Sequence, residues 1–98
     1  MKSILDSRQL LAASVLARTG SFTLAGQQLS LTQSAVSYAI KALEAEVGCR
    51  LFVRTGKGVA ATAEGKRFLE CVDEILAKME SARALVAPSV ARNGEARR

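Results

Sequence analysis

Thr32-Gln33-Ser34-Ala35-Val36-Ser37-Tyr38-Ala39-Ile40-Lys41-Ala42-Leu43-Glu44-Ala45-Glu46-Val47-Gly48 is the stretch from which the rest of the chain is understood. Val36, Ile40, Leu43 and Val47 recur at spacings of four, three and four, which puts them on one face of a helix and predicts that this face points inward. Gln33, Ser34, Ser37, Tyr38 and Lys41 take the opposite face. Thr32 offers a hydroxyl to an otherwise unpaired amide of the first turn, and Gly48 stands where a left-handed C-cap falls. A face meant only for solvation would carry Glu and Lys. The first two turns carry amide, hydroxyl and phenol groups instead, and such groups donate and accept at base edges.

Before this helix, Asp6 with Gln9 resembles a capping box. Leu10, Ala13, Leu16 and Ala17 continue as a helical stripe that stops at Gly20, predicting a first helix over 7–19. Ser21 caps a short second helix reaching Leu29, and Ser30-Leu31-Thr32 is a three-residue turn. Helices joined by so short a turn cross steeply, which needs a small side chain where backbones approach. Gly26 meets that need, and close packing explains a glycine that costs about 1 kcal/mol relative to alanine inside a helix. Ala25, Leu29, Leu31, Val36 and Ala39 are the positions expected to seal the angle.

After Gly48, two short β-like runs, Leu51 to Arg54 and Val59 to Thr62, flank Thr55-Gly56-Lys57-Gly58. The glycines permit the positive φ angles of a tight hairpin, so residues 51–62 read as a β-wing. Thr62 caps a long helix over about 63–86, with Glu64 favourably placed in its first turn. Along it Phe68, Val72, Ile75, Met79, Ala82 and Val86 fall at the a and d positions of a coiled coil. Packing on its own domain would produce the same stripe. Some 24 residues extend about 36 Å, however, more than a three-helix core can cover, so self-association through this helix is expected. Pro88 ends it, and 88–98 reads as a flexible tail.

Ninety-eight residues fit one small domain. The division is a winged helix-turn-helix at 1–62, a dimerisation or linker helix at 63–87 and the tail. The fold class is mainly α, three helices plus a two-stranded wing and a long C-terminal helix. The net charge of +5 favours a polyanionic partner. Lys2, Arg8, Arg18, Lys41, Arg50, Arg54 and Lys57 outnumber Asp6, Glu44 and Glu46 in the first 62 residues, whereas the long helix is nearly balanced. Between Thr19 and Ile40 no residue is charged. The part that would enter a groove therefore reads by neutral hydrogen bonds.

Cys49 and Cys71 are too far apart for a CxxC pair and the chain has no histidine, so reduced thiols and no metal or cofactor are expected. The same lack of histidine, and of any paired nucleophile and base, argues against an enzyme. Ser37 and Lys41 share a face, but a solvent-facing pair without supporting groups is more simply a DNA surface. The N-terminus lacks the apolar core of a signal peptide and no window is apolar enough for a membrane span, which leads to the cytoplasm.

The runs Gly20-Ser21-Phe22-Thr23-Leu24-Ala25-Gly26, Leu29 to Ser37, Ile40-Lys41-Ala42-Leu43-Glu44 and Gly48 to Gly56 together closely resemble the N-terminal winged helix-turn-helix of bacterial LysR-type transcriptional regulators, from residue 6 to about 87. The resemblance implies a homodimer paired through its long helices on an interrupted palindrome of double-stranded DNA. Each recognition helix, residues 33–47, would lie in a major groove and each wing at a minor groove. It implies base or nearby phosphate contacts for Gln33, Ser34, Ser37 and Tyr38, backbone contacts for Thr23, Thr32 and Lys41, and a wing-tip contact for Lys57. Arg54 and Thr55 belong to the wing motif and can brace it as well as touch DNA. Arg50, four residues after Glu46, suits an ion pair as well as a phosphate. Two positions depart from the usual pattern: Ser34 stands where proline is common and Tyr38 where arginine is. The family's effector-binding domain has no counterpart in the 98 residues. A module that binds a partner protein is the alternative, and it would call for an apolar recognition face, whereas this one is polar.

Overall fold

Side-chain caps decide where the helices begin. In the computed structural model, which describes residues 4–88, α1 runs Ser7–Thr19, α2 Phe22–Leu29, α3 Gln33–Val47 and α4 Ala63–Val86. Ser21 Oγ accepts from the Leu24 amide (3.1 Å), Thr32 Oγ1 from Ala35 (3.0 Å) and Thr62 Oγ1 from Gly65 (2.9 Å). Each bond satisfies a donor that the first helical turn leaves unpaired. At α1 the capping-box expectation changes in detail: the Asp6 carboxylate takes the Arg8 amide (2.8 Å), and the Gln9 amide goes to the Asp6 carbonyl. Gly48 closes α3 in the left-handed conformation, its amide bonded to Glu44 O at 2.8 Å. Ala87 leaves α4 in extended geometry, as the residue before a proline must. The tail expected beyond Pro88 lies outside the described residues.

β1 (Phe52–Thr55) and β2 (Gly58–Ala61) pair antiparallel, Phe52 opposite Ala61 and Thr55 opposite Gly58. Each strand sits one residue nearer the turn than the sequence suggested. At the root Thr62 N still donates to Leu51 O at 2.9 Å, but Glu44 takes the Leu51 amide and Thr62 caps α4, its hydroxyl donating to Arg50 O at 2.8 Å. The core is formed where α1, α3, the root of the wing and the start of α4 meet. Leu16, Leu43, Leu51, Val36 and Val72 are its largest fully buried side chains. Burying one such side chain stabilises the fold by roughly 1.5 to 3 kcal/mol.

Three glycines let backbones come closer than a Cβ would allow. At Gly26 a methyl would meet Leu31 O at 2.6 Å, so what presses on α2 is the turn carbonyl rather than α3 itself. The same turn corrects one detail of the predicted seal. Leu31 is 47% exposed, and Ser30 turns the chain in the left-handed region at φ 58°, which a non-glycine seldom adopts. Ala17 of the first stripe is exposed as well. Gly58, at φ 139°, rests against the Gly20 carbonyl, and Val59 N donates to that same oxygen at 3.1 Å. Gly65 packs its Cα onto Leu51 O, seating the first turn of α4 on the wing root.

One polar bridge joins α1 to α4. Ser14, 4% exposed, accepts from Arg18 Nη1 and donates to Asp73 Oδ1, both at 2.9 Å.

Candidate nucleic-acid interface

The inward stripe of α3 holds its other face outward. Val36, Ile40 and Leu43 are buried, and Gln33, Ser34, Tyr38 and Lys41 are exposed, Tyr38 to 76%; Ser37 is half-buried. With Phe22 of α2 and Arg54 of β1 these polar residues line a concave surface of about 550 Å³ between recognition helix and wing. Thr23 stands beside it, its Oγ1 donating to Gln33 Oε1 at 3.2 Å. Thr32 and Thr55 each accept a backbone amide on the side-chain oxygen, from Ala35 and Lys57, which leaves the hydroxyl proton of each free to donate outward. A phosphate presents only acceptors, so such protons suit it.

The wing supplies the positive side of this concavity. Arg54 lies over the Phe22 ring at 5.1 Å from its centroid, a cation-π contact that holds the guanidinium at the rim. Lys57 is exposed in the two-residue hairpin turn. Arg50 is exposed and its guanidinium donates to Phe52 O at 3.5 Å. Of the residues expected from the sequence to contact DNA, Gln33, Ser34, Ser37, Tyr38, Lys41 and Arg54 line the concavity, Thr23 stands beside it, Lys57 is at the wing tip, and Thr32 and Thr55 are exposed next to Gln33 and Arg54 in the chain.

Glu44 was not singled out from the sequence, and it connects helix to wing. Its Oε2 accepts from the Leu51 and Phe52 amides at 2.7 and 3.1 Å. An acidic residue late in an amphipathic helix looks like ordinary solvated surface. Only the return of the chain seven residues later brings the two amides to it.

The stripe of α4 divides in two. Val72 is 1% exposed and Phe68 half-buried against the chain's own core, so these two members of the expected seam are covered within the protomer. Leu69 and Leu76 join them on that side. Ile75 (38% exposed), Met79 (48%), Ala82 and Val86 (80%) are open. Packing on the chain's own domain therefore accounts for the first half of the stripe, and the second half is left exposed. Among the described residues no cluster of three His, Cys, Asp or Glu side chains could hold a metal, Cys49 and Cys71 are free thiols, and no helix is long and apolar enough to cross a membrane.

Residues 7–66 match the family described as bacterial regulatory helix-turn-helix protein, lysR family. The transcriptional regulator TfdT of Cupriavidus pinatubonensis is 36% identical over 92 residues, covering 93% of this chain and 40% of that protein. The chain spans 25–40% of the length of the first curated relatives it matches. Among solved structures, Vibrio fischeri DarR in complex with DNA is similar at a TM-score of 0.81 and 28% identity, over 86% of this chain and 29% of that one. The DNA complex of the CbnR DNA-binding domain is similar at 0.73 and 30%, over 85% of this chain and all of the other.

Proposed function

Since the chain belongs to the lysR family of bacterial regulatory helix-turn-helix proteins, we propose that it is the DNA-reading part of a transcriptional regulator, binding double-stranded DNA as a homodimer in the bacterial cytoplasm. The observation that carries the reading is the polar face of α3, uncharged through its first two turns and held outward beside a basic wing. A helix of this kind fits a major groove, and the wing reaches the adjoining minor groove. Gln33, Ser34, Ser37 and Tyr38 then face base edges. Lys41, Arg54, Thr32, Thr55 and Lys57 hold the sugar-phosphate backbone, and Thr23 stands next to Gln33. Phosphate contacts supply most of the affinity and base contacts the preference.

In this reading residues 1–62 form the reading head and 63–87 the dimerisation helix, paired through Ile75, Met79, Ala82 and Val86. Two heads joined in that way read two half-sites related by a dyad, an interrupted palindrome. Selection of bound duplexes from random DNA at physiological ionic strength tests this directly. Two half-sites at fixed spacing are expected, and binding without preference among duplexes overturns the proposal.

A further inference from the structure

A helix in the major groove and a wing in the adjoining minor groove lie on either side of one sugar-phosphate strand, since that strand is what separates the two grooves. The part of the protein between α3 and the hairpin tip therefore faces phosphates whatever the base sequence. Phe22 and Arg54 occupy that place. Both line three adjoining hollows: the concavity in front of α3, a smaller one of about 110 Å³ between α3 and β1, and one of about 230 Å³ that they share with Thr23 and Lys57.

The backbone sends Arg54 there. Along β1 it leaves the strand on the same side as buried Phe52, toward the head. Across the hairpin it stands opposite Val59, whose amide is bonded to Gly20 O, two residues before Phe22. Phe22 opens α2 behind the Ser21 cap and is half-buried against the core, so its ring is a fixed platform. Arg54 Cζ lies 5.1 Å from the centre of that ring.

A guanidinium resting on a ring spends its face on the contact, while its N–H donors lie in the plane and point past the edge. Among the described residues Arg54 makes no hydrogen bond or ion pair, so those donors are unspent. A phosphate takes two parallel N–H bonds from such an edge. An unsupported arginine gives up rotamer freedom to make them, and the ring removes part of that loss beforehand.

We propose that Phe22 is a positioning residue for DNA binding, its ring holding Arg54 edge-on to a phosphate of the strand between the two grooves. This rests on the reading of α3 as the recognition helix. A phosphate contact adds affinity and register but no sequence preference.

The test is fluorescence titration of two duplexes, the one selected by the unmodified 98-residue chain and one of random sequence, with unfolding followed for each variant. Arg54→Ala weakens binding to both duplexes and lowers the logarithmic salt slope by about 1. Phe22→Leu and Phe22→Met fill the same space without a ring face, and either carries the comparison if the other does not fold. They weaken binding to both duplexes by about two- to fivefold, the range of a cation-π contact at an exposed site, and keep the salt slope because the charge remains. Phe22→Tyr, which keeps a ring, restores the affinity. Combined with Arg54→Ala, the same Phe22 substitutions have no further effect. An equal loss with and without Arg54 is damage to the packing of the head and overturns the positioning role, as does a loss confined to the selected duplex. Unchanged affinity and salt slope in Arg54→Ala overturn it too, and leave α3 as the reader. An unmodified chain that binds all duplexes alike defeats the reading of α3 and this inference with it.

Discussion

Single side chains carry two kinds of work here, and Glu44 and Asp6 exemplify them. Glu44 Oε2 holds two backbone amides of the wing root, one of them on buried Leu51, so its loss leaves donors without a partner. Glu44→Ala is expected to cost about 2 to 3 kcal/mol, since bonds to a charged acceptor and orphaned amides both weigh more than ordinary ones. Glu44→Gln, retaining a carbonyl, should cost less. Urea denaturation measures both, and faster amide exchange at Leu51 and Phe52 would locate the damage in the wing. Asp6 is the pH-dependent case. Hydrogen bonds from the Arg8 side chain and then its amide hold the Asp6 carboxyl below its ordinary 3.8. A lowered carboxyl contributes above that ordinary value and loses its contribution as pH falls through the lowered one. Melting of the Asp6→Asn variant should therefore differ from that of the unmodified chain by a constant amount from neutral pH to about 4, the gap closing only in stronger acid.

Among the elements, α4 joins two environments in one helix, and the two can be separated by substitution. Val72→Ala opens a cavity in the chain's own core and is expected to lower stability by about 2 kcal/mol, read by thermal or urea unfolding. Met79→Glu, at an open position, should leave the head folded and shift sedimentation from dimer to monomer at micromolar concentration. Unchanged sedimentation would place the dimer contact elsewhere. The helices themselves were legible in the sequence because their determinants are local: Ser21, Thr32 and Thr62 are caps, and Val36, Ile40 and Leu43 repeat with the helical period. What escaped depends on segments distant along the chain. Nothing near Gly65 announces that Leu51 O will press on it, and no periodicity tells Val72 from Met79. The site divides likewise. Its outward residues could be listed from α3 alone, but the Thr23 to Gln33 bond and the Glu44 clamp appear only once α2 and the wing are folded against it.

For the whole molecule the sum of charge matters more than any pair. The chain carries +5, and its excess lies on the head and wing. Binding should therefore weaken steeply with salt as counterions return to the duplex. Lys57→Ala is expected to lower affinity for cognate and random DNA alike and to reduce the logarithmic salt slope by about 1, measured by fluorescence titration from low to moderate salt. A loss confined to the cognate site would make Lys57 a reader of bases. The hairpin that presents it is fastened at its root by Glu44 and near its outer end by the Gly20 carbonyl, which Gly58 rests against and Val59 N bonds, so that the turn residues Gly56 and Lys57 stand exposed beyond it. Such an appendage is an interchangeable fitting. Residues could be grafted into the bend to alter reach or chemistry while the scaffold beneath went on folding unaltered, a route by which proteins sharing one frame could come to recognise different operators.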